Sequence, residues 1–392
     1  MAKLSEDSRR FHSDLDIDID QFAALCEQSV AVSDYPLCES ITQQVPIYSG
    51  DDLRVAIARG EVQPLQSELA RVLETGPGVF VVRKAYANTP IIEQMSVIFA
   101  QLLEQQRDIK AADHFAAAGA NGRVWNVFEK SARADPEAFI HYYKNPILQL
   151  VSQAWLGPHY QITAQLNIIY PGGLAQQPHR DYHLGFQENH SVAQFPAHVH
   201  KMSQYLTLQG GIAHSEVPIE SGPTQLLPFS QQYNLGYLAW RDAAFISYFA
   251  TNKVQLALNS GDALFFNPAL FHAGGNNCSK TIERSVNLLQ ISSAFAKPME
   301  TVESYAISAL IYPHLQSLLH PRAEKLSTQE LNAIINAGCE GYSFPSNLDT
   351  DPPGASMAPQ TAAQLTLQAL NEHWPLDKYQ HALNAHQKRR LS

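Results

Sequence analysis

Cysteine is scarce in this 392-residue chain, where Cys26, Cys38, Cys278 and Cys339 stand far apart with no C-x-x-C spacing. That scarcity argues against a disulfide framework or a thiolate zinc site and points to reduced thiols. Long apolar runs are missing too. No stretch reaches the about 18 consecutive apolar residues that a membrane span needs, and residues 1–7 lack the apolar core of a signal peptide. No membrane partner is expected, and the cytoplasm is the expected compartment. Basic charge is in deficit: 27 Lys and Arg face 37 Asp and Glu, a formal net charge of −10, and the only basic run is Lys388-Arg389-Arg390. The chain therefore carries no electrostatic footprint for nucleic acid. Internal repeats and low-complexity tracts are absent, and the length suits one domain with insertions and helical flanks.

What the chain does have is core-forming residues and histidine. With 45% hydrophobic and 16% charged residues it can bury a substantial core. Among its 16 histidines, those in Pro178-His179-Arg180-Asp181-Tyr182-His183 and Phe271-His272-Ala273 stand out. Residues i and i+2 of a strand point to the same face, so His179 and Asp181 can reach one metal ion while Arg180 points away. His272 follows His179 by 93 residues (272 − 179), so the fold must return the chain to the same place, as a β-barrel does. Two imidazoles and one carboxylate with no cysteine ligand form a donor set for iron(II) that leaves coordination positions open to dioxygen. A lone His-x-Asp pair is more often packed or solvated than metal-bound, so the surroundings have to decide.

The surroundings are organised around that pair. In 161–170, Ile162, Ala164, Leu166 and Ile168 alternate with Thr163, Gln165 and Asn167, which predicts a strand with an apolar back and an amide-rich front. Pro171-Gly172-Gly173 then opens a loop leading to His179. Val254, Leu256 and Leu258 predict a strand, Asn259-Ser260-Gly261-Asp262 a turn, and 263–266 a second strand with His272 just beyond its end. Arg284 stands at the entrance of a further strand over 285–291. If 2-oxoglutarate chelates the metal, its distal carboxylate needs an anchor, and a guanidinium supplies a bidentate one worth about 1.5–3 kcal/mol. Arg284 is the candidate, the alternative being a surface arginine in a salt bridge.

Helical stripes flank this region. Leu65, Leu69, Val72 and Leu73 form one, Thr89 is expected to cap a second, and a third is expected over 136–155 with a kink at Pro146. Val79 to Val82 reads as a first buried strand. After residue 298 helices are expected over 302–319, over 327–338 with Ser327 as cap, and last over 361–371. Asp14, Asp16, Asp18 and Asp20 alternate with Leu15, Ile17 and Ile19, but the sixth-position glycine and twelfth-position glutamate of a calcium loop are missing, so an acidic arm or edge strand is expected instead. His198-x-His200 lacks a carboxylate at a diagnostic spacing and is not read as a second metal site.

The run P-G-G-L-A-Q-Q-P-H-R-D-Y-H, the segment E-S-G-P-T-Q-L-L-P-F-S from Glu220 to Ser230, and G-D-A-L-F-F-N-P-A-L-F-H-A-G from Gly261 to Gly274 together resemble the phytanoyl-CoA dioxygenase family. The resemblance implies a double-stranded β-helix (jelly-roll, cupin-like) core with flanking helices, mainly β in class. The resemblance covers the core (76–298), and the chain's own pattern adds an N-terminal extension (1–60) and a C-terminal helical region (299–392) to a single oxygenase domain. The resemblance further implies Fe(II) held by His179, Asp181 and His272, 2-oxoglutarate as cosubstrate bound by Arg284, Asn167 and Gln165, and O2 as oxidant. Tyr182 and His183 are implied substrate contacts. The implied reaction couples oxidative decarboxylation of 2-oxoglutarate, giving succinate and CO2, to attack on a C–H bond of a small-molecule substrate. Related halogenases replace the metal-binding carboxylate by a small residue, so Asp181 favours hydroxylation, desaturation or rearrangement. The chain departs from the family at Gly274, where many members carry a small hydroxyl residue. A non-catalytic cupin-like binding barrel and a zinc-dependent hydrolase or isomerase on the same triad are the competing classes. Oligomeric state and the identity of the substrate do not follow from these residues.

Overall fold

Eleven strands are assigned among residues 10–106, 121–320 and 326–391, the parts of the chain that the computed structural model describes. They are β1 (Ser40–Thr42), β2 (Val45–Ser49), β3 (Val79–Arg83), β4 (Asn121–Val124), β5 (Gln161–Ile169), β6 (Thr207–Ala213), β7 (Gln225–Leu226), β8 (Val254–Gln255), β9 (Ala263–Phe266), β10 (His272–Ala273) and β11 (Arg284–Ser292). Eight form one sheet in the order β1-β2-β3-β9-β6-β11-β5-β4, antiparallel throughout except for the β2/β3 pair. The other three form a small sheet, β10-β7-β8, extended by isolated bridges between His179 and His272 and between Val217 and Leu258. These two sheets face each other as the halves of a double-stranded β-helix.

Alternation explains why the sheets stack as they do. Ile162, Ala164 and Leu166 of β5, Leu208 and Ile212 of β6, Phe80 and Val82 of β3 and Leu289 and Ile291 of β11 join the helices in the largest apolar cluster, on the outer face of the large sheet. The opposite face gives Val79, Val81, Leu264 and Phe266, which pack with Leu226 and Leu258 of the small-sheet side in a second cluster between the sheets. The polar front expected for β5 faces inward, where Gln165 and Asn167 line a pocket between the sheets.

The helices account for more residues than the strands. Several differ from expectation for local reasons. The helix over 136–155 is two helices, Pro136–Tyr143 and Pro146–Leu156, rather than one kinked one. Pro146 disfavours helical geometry at Asn145, whose side-chain oxygen accepts from the Ile147 amide at 2.9 Å and starts the second helix. Asn88, not Thr89, is the residue ahead of the helix Thr89–Gln105, and its side chain makes no capping bond. The aspartate alternation near the N-terminus is neither arm nor edge strand: Asp18 caps the helix Ile19–Cys26 by accepting from the amides of Asp20 and Gln21. Phe22 of that helix is fully buried against Tyr233, Phe245 and Phe271. Strands β1 and β2, within the first 60 residues, form one edge of the large sheet. The Ser327 capping box with Glu330 is present as expected, and a further helix, Leu376–Arg389, follows the one expected to be last. Among the described residues no helix is long and apolar enough to cross a membrane. All four cysteines are unpaired.

Candidate metal centre

The segment around His179 and strand β10 are joined by reciprocal backbone hydrogen bonds, His179 N to His272 O at 2.9 Å and His272 N to His179 O at 3.1 Å. This pairing sets the two imidazoles side by side with ring centroids 4.4 Å apart. Each ring is oriented by its own backbone: His179 Nδ1 lies 2.8 Å from the Gln177 carbonyl, and His272 Nδ1 lies 2.9 Å from the Leu270 carbonyl. A carbonyl only accepts, so Nδ1 carries the proton in both rings and the lone pair is on Nε2.

Asp181 completes the group. Its Oδ1 is 3.5 Å from His179 Nε2 and its Oδ2 is 3.5 Å from His272 Nε2. One ligand atom from each of the three residues lies within 4.8 Å of the others, and all three residues are buried. Burial opposes ionisation of Asp181, but positive charge on the neighbouring imidazoles and a hydrogen bond from Gln209 outweigh it and hold the carboxyl well below its usual range; where the rings are neutral, that charge has to come from a bound cation. Gln209 Nε2 donates to Oδ2 at 2.5 Å, while Oδ1 is buried with no hydrogen-bond partner. An orphaned carboxylate oxygen beside two imidazole lone pairs is costly unless a cation takes them up, so the residues present fit a divalent metal.

Arg180 turns away from the metal position, as strand alternation requires, into a fully buried slot. Its Nη2 donates to the carbonyls of Ser230 and Tyr233 at 2.6 and 2.9 Å, and its guanidinium stacks over the rings of Tyr237 and Phe271. Burial lowers its pKa to about 10. This buried cation fixes the backbone between the first two ligands.

The triad lies on a pocket whose wall includes Gln165, Asn167, Gln176, Gln209, Arg284, Leu264, Phe266 and Met299. Arg284, first residue of β11, is buried and donates through Nη1 to the Gly222 carbonyl, while its Nε has no partner. Among the described residues no carboxylate pairs with it. Burial, with repulsion from Arg123, lowers its pKa to about 10. A desolvated cation at a pocket wall without an acid partner is a receptor for an anion. Asn167 Oδ1 is likewise buried and unpartnered, and Gln165 Nε2 rests against Met299 Sδ at 3.3 Å.

Tyr182 and His183 are not on the pocket wall. The Tyr182 hydroxyl donates to the Lys297 carbonyl at 3.2 Å, and the His183 ring packs on Tyr182 with its Nε2 3.4 Å from Thr207 Oγ1. Phe186 lines the pocket from this segment instead. Over Gly274 lies Gln176, whose Oε1 accepts from the Gly274 amide at 2.8 Å. Gln209 and Gln176 are the site residues that sequence reasoning passes over, whereas Arg180 is expected to point away from the metal and does. The one available signal was Gln209 as the lone amide between apolar and glycine residues of β6.

Compared with known proteins, the family model described as phytanoyl-CoA dioxygenase (PhyH) matches residues 58–286, more than half of the chain. A curated relative, the dioxygenase trt7 of Aspergillus terreus, is 26% identical over 155 residues, 40% of this chain. That match spans about half, 49%, of the relative's own length. Among solved structures, the non-heme alpha ketoglutarate dependent carbocyclase SnoK from nogalamycin biosynthesis is 18% identical, with a TM-score of 0.45, over 63% of this chain and 91% of its own. The epimerase SnoN from the same biosynthesis is 14% identical, with a TM-score of 0.41, over 60% and 84%. Likeness at that level is too distant to set chemistry.

Proposed function

This chain belongs to the phytanoyl-CoA dioxygenase family, and from that premise we propose that it hydroxylates an unactivated C–H bond of a small organic metabolite. Iron(II) is its metal, 2-oxoglutarate its cosubstrate and O2 its oxidant. The observation that carries the reading is a buried two-histidine, one-carboxylate cluster sharing a pocket with a buried arginine that has no acid partner among the described residues. A zinc hydrolase or isomerase on the same triad has no use for that arginine.

In this reading His179, Asp181 and His272 hold the metal, and Gln209 steadies the Asp181 carboxylate. Arg284 binds the distal carboxylate of the cosubstrate, with Asn167 and Gln165 as its polar neighbours. Bound iron and 2-oxoglutarate supply the oxidising power, with succinate and CO2 as coproducts. The protein positions the substrate and keeps water out, a task suited to Leu264, Phe266, Val286, Leu288 and Met299 on the pocket wall. Substrate contact by Tyr182 and His183 requires movement of the segment that now presents Phe186. We place the enzyme in the cytoplasm, a reading supported by its four unpaired thiols. We read the chain as one oxygenase domain with its core over 76–298, because helices beyond residue 298 share the main apolar cluster.

The test is a screen of candidate metabolites for stimulated succinate release. The expected result is a product that has gained one oxygen atom, formed with one succinate per turnover. A product formed by hydrolysis or isomerisation with no succinate contradicts the reading.

A further inference from the structure

Strands β6 and β11 set two glutamines side by side on the pocket face of the large sheet. Gln290 of β11 is the direct antiparallel partner of Gln209 of β6, which puts their Cβ atoms about 5 Å apart. Both point inward, because their strand neighbours Leu208, Leu289 and Ile291 join the apolar cluster on the outer face. Both line the pocket. The adjoining pair agrees: a Cβ on Gly211 would sit 3.0 Å from Val286 Cγ1 and 3.7 Å from Leu288 Cδ2, side chains on the same face of β11 as Gln290.

Gln209 is committed to the metal group through its 2.5 Å bond to Asp181. Gln290 has no such task. It is 5% exposed, and its Oε1 is buried without a hydrogen-bond partner among the described residues. Gln209 Oε1 is orphaned in the same way, so the two amides do not bond each other. An unpaired buried carbonyl is costly, and at a pocket wall the group that relieves it is a ligand. That ligand is not the cosubstrate. Gln290 stands six positions beyond Arg284 (290 − 284), about 20 Å along the strand, with Val286 and Leu288 between them on the pocket face.

The chemistry of the ligand follows from the wall. Amide oxygens only accept, so the ligand donates. It donates as a neutral group: among the described residues the pocket wall carries Arg123 and Arg284 but no carboxylate except Asp181, which the metal engages, and that balance disfavours an ammonium. Phe186, Phe266, Leu288 and Met299 suit an apolar body around the donor.

We propose that Gln290 is a specificity-determining residue whose amide oxygen accepts from a substrate hydroxyl, and that the substrate is a neutral, largely apolar alcohol held with that hydroxyl close to the metal. This rests on the functional reading above, in which the pocket takes a small organic metabolite beside iron and 2-oxoglutarate.

The probes are cyclohexanol and decahydro-2-naphthol, each paired with its ketone and its methyl ether, which keep the skeleton and can only accept. Their dissociation constants are measured by titration calorimetry on the full chain loaded with redox-inert Mn(II) and 2-oxoglutarate, after 2-oxoglutarate binding itself has been measured. At least one alcohol is expected to bind the wild type about tenfold more tightly than its ketone and ether. Gln290→Leu is expected to bring the three within about twofold while leaving Mn(II) and 2-oxoglutarate affinities within about twofold. Gln290→Met, which keeps the length of the side chain, is expected to act in the same direction and guards against a packing defect in the shorter variant. The inference is overturned if no alcohol binds, if the wild type shows no preference or favours the ketone, or if the preference survives both substitutions. It is also overturned if both variants weaken Mn(II) binding tenfold or more, since Gln290 would then be a prop for Gln209 and Asp181. In each of these cases 2-oxoglutarate binding by the wild type leaves the functional reading intact, whereas its absence removes both.

Discussion

Arg180 lies so close to Gly236 that a Cβ on residue 236 would fall 1.9 Å from the guanidinium carbon and 2.2 Å from Nη2. The guanidinium cannot move aside freely, since it is fully buried and Nη2 serves two backbone carbonyls. Gly236→Ala therefore overpacks the slot behind the metal ligands. It is expected to lower unfolding free energy by about 1–3 kcal/mol, read from urea midpoints, and to weaken Mn(II) binding with it, because Arg180 joins His179 to Asp181. A variant as stable as the wild type contradicts this packing account.

Gln209 touches the metal group only through Asp181. Gln209→Leu removes the hydrogen bond to Oδ2 and is expected to reduce metal affinity about 10- to 100-fold, measured by competition with a chelator, with little change in thermal midpoint. Unaltered affinity would mean that the carboxylate is held by other contacts.

Loss of a ligand has a larger effect. Asp181→Ala and His272→Ala are each expected to reduce metal affinity by more than about a hundredfold and to abolish succinate formation, while circular dichroism shows the sheets intact. The three ligands lie between two sheets that hold their own apolar clusters, so the fold does not depend on them. Normal succinate production by either variant counts against the assigned ligand set.

Another buried histidine, His214, is expected to contribute to acid sensitivity. His214 is wedged between Ser96 Oγ at 2.8 Å and the Tyr142 hydroxyl at 2.7 Å, and burial pushes its pKa down to about 3. The folded protein keeps this ring neutral in a range where the unfolded chain, titrating near 6.5, takes up a proton. The unfolded state then binds more protons, so stability rises with pH across that window. The contribution is complete above pH 6.5 and is lost progressively as pH falls toward 3, on the order of a few kcal/mol in all. Wild-type protein should lose more stability than His214→Asn between pH 7 and pH 4.5 in urea titrations. Equal losses would show that another group carries the acid sensitivity.

The parts legible in the sequence were those governed by short-range pattern. Alternation in β5 gave both its buried back and its pocket-facing amides, and the His-x-Asp spacing gave two ligands with Arg180 between them turned away. Capping chemistry identified Ser327 as a helix start. What was not legible depended on contacts between distant segments. Gln209 reaches Asp181 across 28 positions, and Gln176 meets Gly274 across 98. No local periodicity marks either. The aspartates near residue 16 alternate like a strand, yet Asp18 caps a helix whose Phe22 has an aromatic slot waiting for it, and that tertiary burial decides the conformation.

On the proposed reading, His179, Asp181 and His272 hold one ferrous ion to which 2-oxoglutarate chelates. Anaerobic absorption spectroscopy of the iron(II)-loaded protein tests it most directly. Addition of 2-oxoglutarate is expected to produce a metal-to-ligand charge-transfer band in the wild type and none in Asp181→Ala. Wild-type protein that binds iron(II) yet shows no such band at saturating 2-oxoglutarate would contradict the claim.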